Sequence, residues 1–161
     1  MENLLIQDYV RQLKEVYEGD PWLDETFAKK LKCLDEEDAF KQPLPGVHSV
    51  AEVLSHLVEW RKELLNRFKT GEPPFPLFTS ERNWYSNETL KEKGWNRLME
   101  EFAATQHQLT ELWESWDDSI PRKSYNDECD YHYMVEGIVH HDLYHLGQMG
   151  LIIKMVASRG A

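Results

Sequence analysis

Residues 43–69 read PLPGVHSVAEVLSHLVEWRKELLNRFK, and this stretch decides how the rest of the chain is read. Pro43, Pro45 and Gly46 close a loop, and Ser49 then stands three residues before Glu52. That spacing is a capping box, in which each side chain satisfies a backbone N–H at the start of a helix. A helix beginning here runs to about Lys69, where Thr70-Gly71-Glu72-Pro73-Pro74 stops it.

Three more segments carry the same period. In the first, about Asn3 to Glu18, Leu4, Leu5, Tyr9, Val10, Leu13, Val16 and Tyr17 recur at helical intervals until Gly19-Asp20-Pro21. A short helix follows, with Asp24 as its expected cap and Phe27, Leu31 and Leu34 facing inward. The third, about Glu88 to Trp116, sets Leu98, Phe102, Thr105, Leu109, Leu112 and Trp116 within a narrow arc. The fourth spans about Asp130 to Ala157, after Ile120-Pro121, and Gly147 within it reads as a point where a neighbouring helix comes close. Strand-like alternation is hard to find, so the chain reads as all-α: one four-helix-bundle domain over residues 1–161. Residues 72–86 form a long connection between the second and third helices. Its aromatics, Phe75, Phe78, Trp84 and Tyr85, predict that it folds back onto the body.

Composition narrows the function. Acidic residues outnumber basic ones, 29 to 18, for a formal charge of -11. Phosphate-backbone binding is opposed by that field, and no nucleic-acid partner is expected. The sequence shows no charged-then-apolar leader and no apolar run long enough to span a bilayer, which predicts a cytoplasmic protein with no membrane partner. Cys33 and Cys129 are too few for a disulfide framework and are read as reduced thiols.

The chemistry lies in the histidines. With seven in the chain, an HxxxH pair by itself carries little weight. Helical direction sharpens it. His141 and His145 are about 40° apart around the axis and about 6 Å apart along it, in the same arc as Met134, Ile138 and Ile152, so both rings point inward. His107, His132 and His140 point aside, and His48 precedes the helix cap at the mouth of a cleft. His56 sits at a flank of the apolar arc of its helix, bordered by Glu59 and Glu63 on the polar side. Three neutral nitrogens would leave a Zn, Ni, Fe or Mn ion with open positions. Core histidines satisfied by carbonyls and carboxylates fit the same spacing. An HExxH metalloprotease is excluded, because Asp142 stands where the glutamate would be, and a ferritin-like di-iron site is excluded because no ExxH motif occurs.

PLPGVHSVAEVLSHLVEW, HHDLYHLGQMGLIIK with its HxxxHxGQ core, and the GDPWL turn after the first helix together resemble the DinB/YfiT-like superfamily over most of the chain. The resemblance implies a four-helix protein with a three-histidine metal site, His56 being the first ligand and His141 and His145 the second and third. Members of that superfamily resemble metal-dependent hydrolases, transferases joining a low-molecular-weight thiol to an electrophile, or mycothiol-dependent isomerases. For this chain the resemblance implies a metal that activates water or a low-molecular-weight thiol. Glu59 and Glu63 are then candidate catalytic proton acceptors, and Asp142 and Gln148 candidates for orienting imidazoles. The competing expectation is a non-catalytic metal-binding, stress-response or interaction protein. Its basis is the fourth helix, apolar nearly all round, which also suits a homodimer interface.

Overall fold

A computed structural model describes residues 3–32 and 34–159. Four long helices, α1 (Leu4–Glu18), α4 (Val50–Thr70), α6 (Trp95–Glu114) and α7 (Tyr131–Arg159), form the bundle. Both α1 and α4 pack on α6 and on α7, so the order around the bundle is α1, α6, α4, α7. Among the described residues there is no strand, only a single bridge between Ser124 and Asp130. No helix among them is long and apolar enough to cross a membrane.

The capping box starts α4. The Ser49 side chain accepts from the Glu52 N–H at 3.1 Å, and Glu52 accepts from the Ser49 N–H at 2.7 Å. At the other end Gly71 takes the left-handed conformation, φ 67°, and closes the helix.

Several boundaries differ from expectation. The third helix is two: Gly94, at φ 89° and ψ 143°, separates α5 (Asn87–Lys93) from α6. Leu90 and Trp95 are both buried at the break, and the Trp95 ring meets Phe40 edge-on. Asp24 does not cap α2 (Phe27–Lys32). It sits at φ 55°, and the Thr26 hydroxyl accepts the Lys29 N–H instead. A further short helix, α3 (Glu36–Ala39), is capped by Asp35. The 72–86 connection holds two short 3-10 turns, Leu77–Thr79 and Glu81–Asn83. Gly147 is exposed and nothing lies near the position a Cβ would take, so it admits no helix. The Lys30 side chain instead lies against Gly150. Cys129 is a free thiol, and Cys33 falls outside the described residues.

The core has two apolar clusters. One gathers Phe27, Leu54, Leu57, Phe102, Leu146 and Met149. The other gathers Ile6, Leu13, Leu65, Leu109, Trp113 and Ile138. Along α4 and α7, Arg61 and Asp142 fall between the residues of these clusters, and they form an ion pair in which both side chains are 1% exposed. Nη2 of Arg61 donates to Asp142 at 2.5 Å and Nε at 3.3 Å, while the guanidinium lies 4.3 Å from the Phe102 ring centre. Removing one member of such a pair strands the other charge in the interior. Asp142→Ala is therefore expected to destabilise the fold by about 3–5 kcal/mol, measured by urea denaturation, whereas the joint Arg61→Met, Asp142→Leu replacement recovers most of that loss.

Candidate metal centre

Three imidazoles converge between α4 and α7. Nε2 of His56 lies 3.0 Å from Nε2 of His141, and Nε2 of His145 lies 3.1 Å from the same atom. His56 and His145 are buried and His141 is half-buried. One donor atom from each histidine falls within 4.8 Å of the others.

What fixes the rings is the other nitrogen of each. Nδ1 of His56 donates to the Asn83 carbonyl at 2.8 Å, and Nδ1 of His145 donates to Oε1 of Gln148 at 2.7 Å. Both partners are acceptors, so the proton resides on Nδ1 and Nε2 presents a lone pair to the centre. His141 can carry one proton on Nε2, which satisfies one of the two neighbouring lone pairs and leaves the other without a donor. A shared cation satisfies all three. The N···N separations also match two imidazoles bound at about 2.1 Å and nearly at right angles to each other. The residues therefore fit a divalent ion with positions left open.

Burial keeps the rings neutral. It pushes the His141 pKa down to about 3, with His145, His56 and Arg61 adding to the effect, and the His145 pKa down to about 4, with His56 adding. The His56 pKa is lowered by burial, partly offset by the Asn83 carbonyl. Neutral imidazole is the form that ligates a metal.

The 72–86 connection supplies a wall. The Trp84 ring stacks on His56 at 4.0 Å between ring centres, and His48 stacks on the far side of Trp84 at 3.8 Å. Asn83 also accepts, through its side chain, the Trp60 indole N–H at 3.0 Å. Sequence reading placed these aromatics on the body but had no signal for Asn83, because a carbonyl donated by an irregular loop has no residue signature.

Glu59 and Glu63 are buried, but neither belongs to the histidine cluster. Glu59 pairs with Arg82 at 2.7 Å and with Lys62 at 3.3 Å. Glu63 pairs with Arg67 at 2.9 Å and accepts the Phe75 N–H at 2.8 Å. Both carboxylates thus tie the 72–86 connection to α4. Asp142 does not orient an imidazole. It points about 100° from His141 on the helix and is taken by Arg61. Gln148 does orient one. His107 and His140 are exposed, and His132 is half-exposed and bonded to the Tyr9 hydroxyl.

The profile of the DinB superfamily matches residues 23–149, which include all three histidines. The chain belongs to the DinB superfamily. No curated protein and no solved structure matches it. The all-α bundle and the three gathered histidines of this DinB protein agree with what the motifs imply.

The lowered pKa values have a consequence for the metal-free protein. The unfolded chain takes up protons on these histidines near pH 6.5, whereas the folded chain takes them up only far below that. Stability is therefore full above about pH 6.5 and falls as pH drops from there toward 4. Thermal melts of chelator-treated protein across that window check the sign; a melting temperature that is flat or rises on acidification contradicts it.

Proposed function

We propose that this DinB protein is a metal-dependent enzyme in which His56, His141 and His145 hold one divalent transition metal, Ni, Zn, Fe or Mn. The observation that carries the reading is the convergence of three Nε2 atoms while two of the Nδ1 atoms are tied back to acceptors. A metal bound there would supply Lewis acidity, bringing the pKa of a bound water or low-molecular-weight thiol toward neutrality for attack on an electrophile. With three protein ligands and open positions, the arrangement suits a reactive centre more than a structural one.

The protein's own residues set the conditions. Asn83 and Gln148 hold protons on Nδ1 and so aim the lone pairs. Trp84 covers one face of His56, and Trp60 stands edge-on to His141 at 6.0 Å, limiting water on those sides. Among the described residues the one free thiol, Cys129, precedes the start of α7 and is 16 residues from His145, and a transferase reading takes its thiol from a substrate. Water as nucleophile gives a hydrolase and an external thiol gives an S-transferase.

Protein purified without a histidine tag from metal-replete cells is expected to carry about one divalent ion per chain by elemental analysis; less than about a tenth of that overturns the reading. His145→Ala is expected to abolish metal binding and turnover, assayed on ester, amide and thiol-acceptor panels, with the helical circular dichroism unchanged. A variant that also melts far below the parent marks the site as a structural metal module.

A further inference from the structure

A cavity of about 400 Å³ opens between α4 and α7 beside the histidines, within the size range of small-molecule sites. His56 and His141 line one end, and Trp60, Leu64, Phe78, Met134 and Ile138 make apolar walls. Arg67 is the one charged residue among the described residues that line it. On α4, His56, Trp60, Leu64 and Arg67 form a stripe with about 16 Å of axial rise from first to last. The two helices run antiparallel here, since His56 meets His141 while Phe68 stacks on Tyr131. Met134 accordingly lies toward the Arg67 end, and the cavity is a trough with imidazoles at one end and a guanidinium at the other.

Arg67 is built into this trough. A cation in the last turn of α4 favours the helix dipole, but an exposed side chain would do that equally well. This one is 15% exposed, and its Nε is fixed by Glu63 at 2.9 Å. Among the described residues no acceptor engages its two Nη atoms. A guanidinium held by one edge with its amino groups free presents a fork to a carboxylate. The chain's negative charge repels anions at long range, but solution charges beyond about 8 Å are largely screened at physiological salt, so the local fork governs what enters.

We propose that the trough binds an elongated carboxylate with an apolar body: the carboxylate on Nη1 and Nη2 of Arg67, the body along Trp60, Leu64 and Ile138, and the opposite end at the histidines. This names the substrate class for the function proposed above and rests on that reading only for the reacting end. The anion-binding end needs no metal.

The test measures dissociation constants of octanoate and octanamide by calorimetry, on chelator-treated and on zinc-loaded protein. Octanoate is expected to bind at least about tenfold more tightly than octanamide in both preparations. Arg67→Gln is expected to erase that preference and Arg67→Lys to keep part of it. Phe78, 79% exposed on the connection and edge-on to Trp60 at 4.8 Å, gives a second variant that leaves the core untouched. Phe78→Ala should weaken both ligands by the same factor and leave their ratio unchanged. Equal affinities for the two ligands overturn the proposal, as does a preference that survives Arg67→Gln. Octanoate binding that appears only with zinc and vanishes in His145→Ala also overturns it, because the carboxylate would then sit on the metal. An Arg67-dependent preference in protein that fails to take up zinc supports the proposal while the metal reading fails.

Discussion

The buried ion pair between Arg61 and Asp142 fixes how α4 lies against α7, and the site depends on that placement. Arg61 is five residues beyond His56 on α4, and Asp142 follows His141 directly on α7. Sliding one helix by a single turn, about 5.4 Å, would break the two guanidinium bonds and carry the imidazoles out of reach of each other. Two charges without water are a poor source of net stability, but they tolerate few alternative arrangements. Here that intolerance sets a register in which nitrogens from two helices meet within about one hydrogen-bond length. Arg61 also contributes, after burial and the neighbouring histidines, to keeping His141 neutral.

The second constraint comes from an irregular segment. Residues 72–86 are held to α4 by Glu59 through Arg82 and by Glu63 through the Phe75 N–H, with Asn83 and Trp84 laid over His56. The two buried glutamates thereby serve the site at one remove: they anchor the chain whose carbonyl orients a histidine. Glu63 has a further contact, because it also holds by Nε the Arg67 that lines the trough, and among the described residues both Nη atoms are left without an acceptor. One carboxylate thus links the position of the connection to the one cation that lines the cavity among the described residues.

The helices were legible because each rests on local chemistry. The Ser49 and Glu52 capping box, the stop at Gly71, and the shared arc of His141 and His145 with Ile138 and Ile152 all follow from spacing on one helix. The break at Gly94 was not legible, since a glycine inside an amphipathic run is compatible with an intact helix and only the packing of Leu90 and Trp95 on either side forces the bend. Asp24 misled for a similar reason: it is a favoured capping residue, but Thr26 is nearer the start of α2 and takes that role. Asp142 read as a possible partner of an imidazole because it adjoins one, and helical direction together with Arg61 put it elsewhere.

By itself, the sequence determined the helical class, the ends of α4, the inward direction of two histidines on α7 and, through its motifs, the superfamily. Each of these is settled by residues a few positions apart, where helical geometry fixes relative direction. Only the tertiary structure decided that His56 meets them, that Asn83 and Gln148 choose the tautomers, that Glu59 and Glu63 are buried clamps, and that Arg67 faces the same trough as the histidines. Those relations join residues mostly on different elements, and burial, which sets both their charge state and their partners, exists only once the helices have packed.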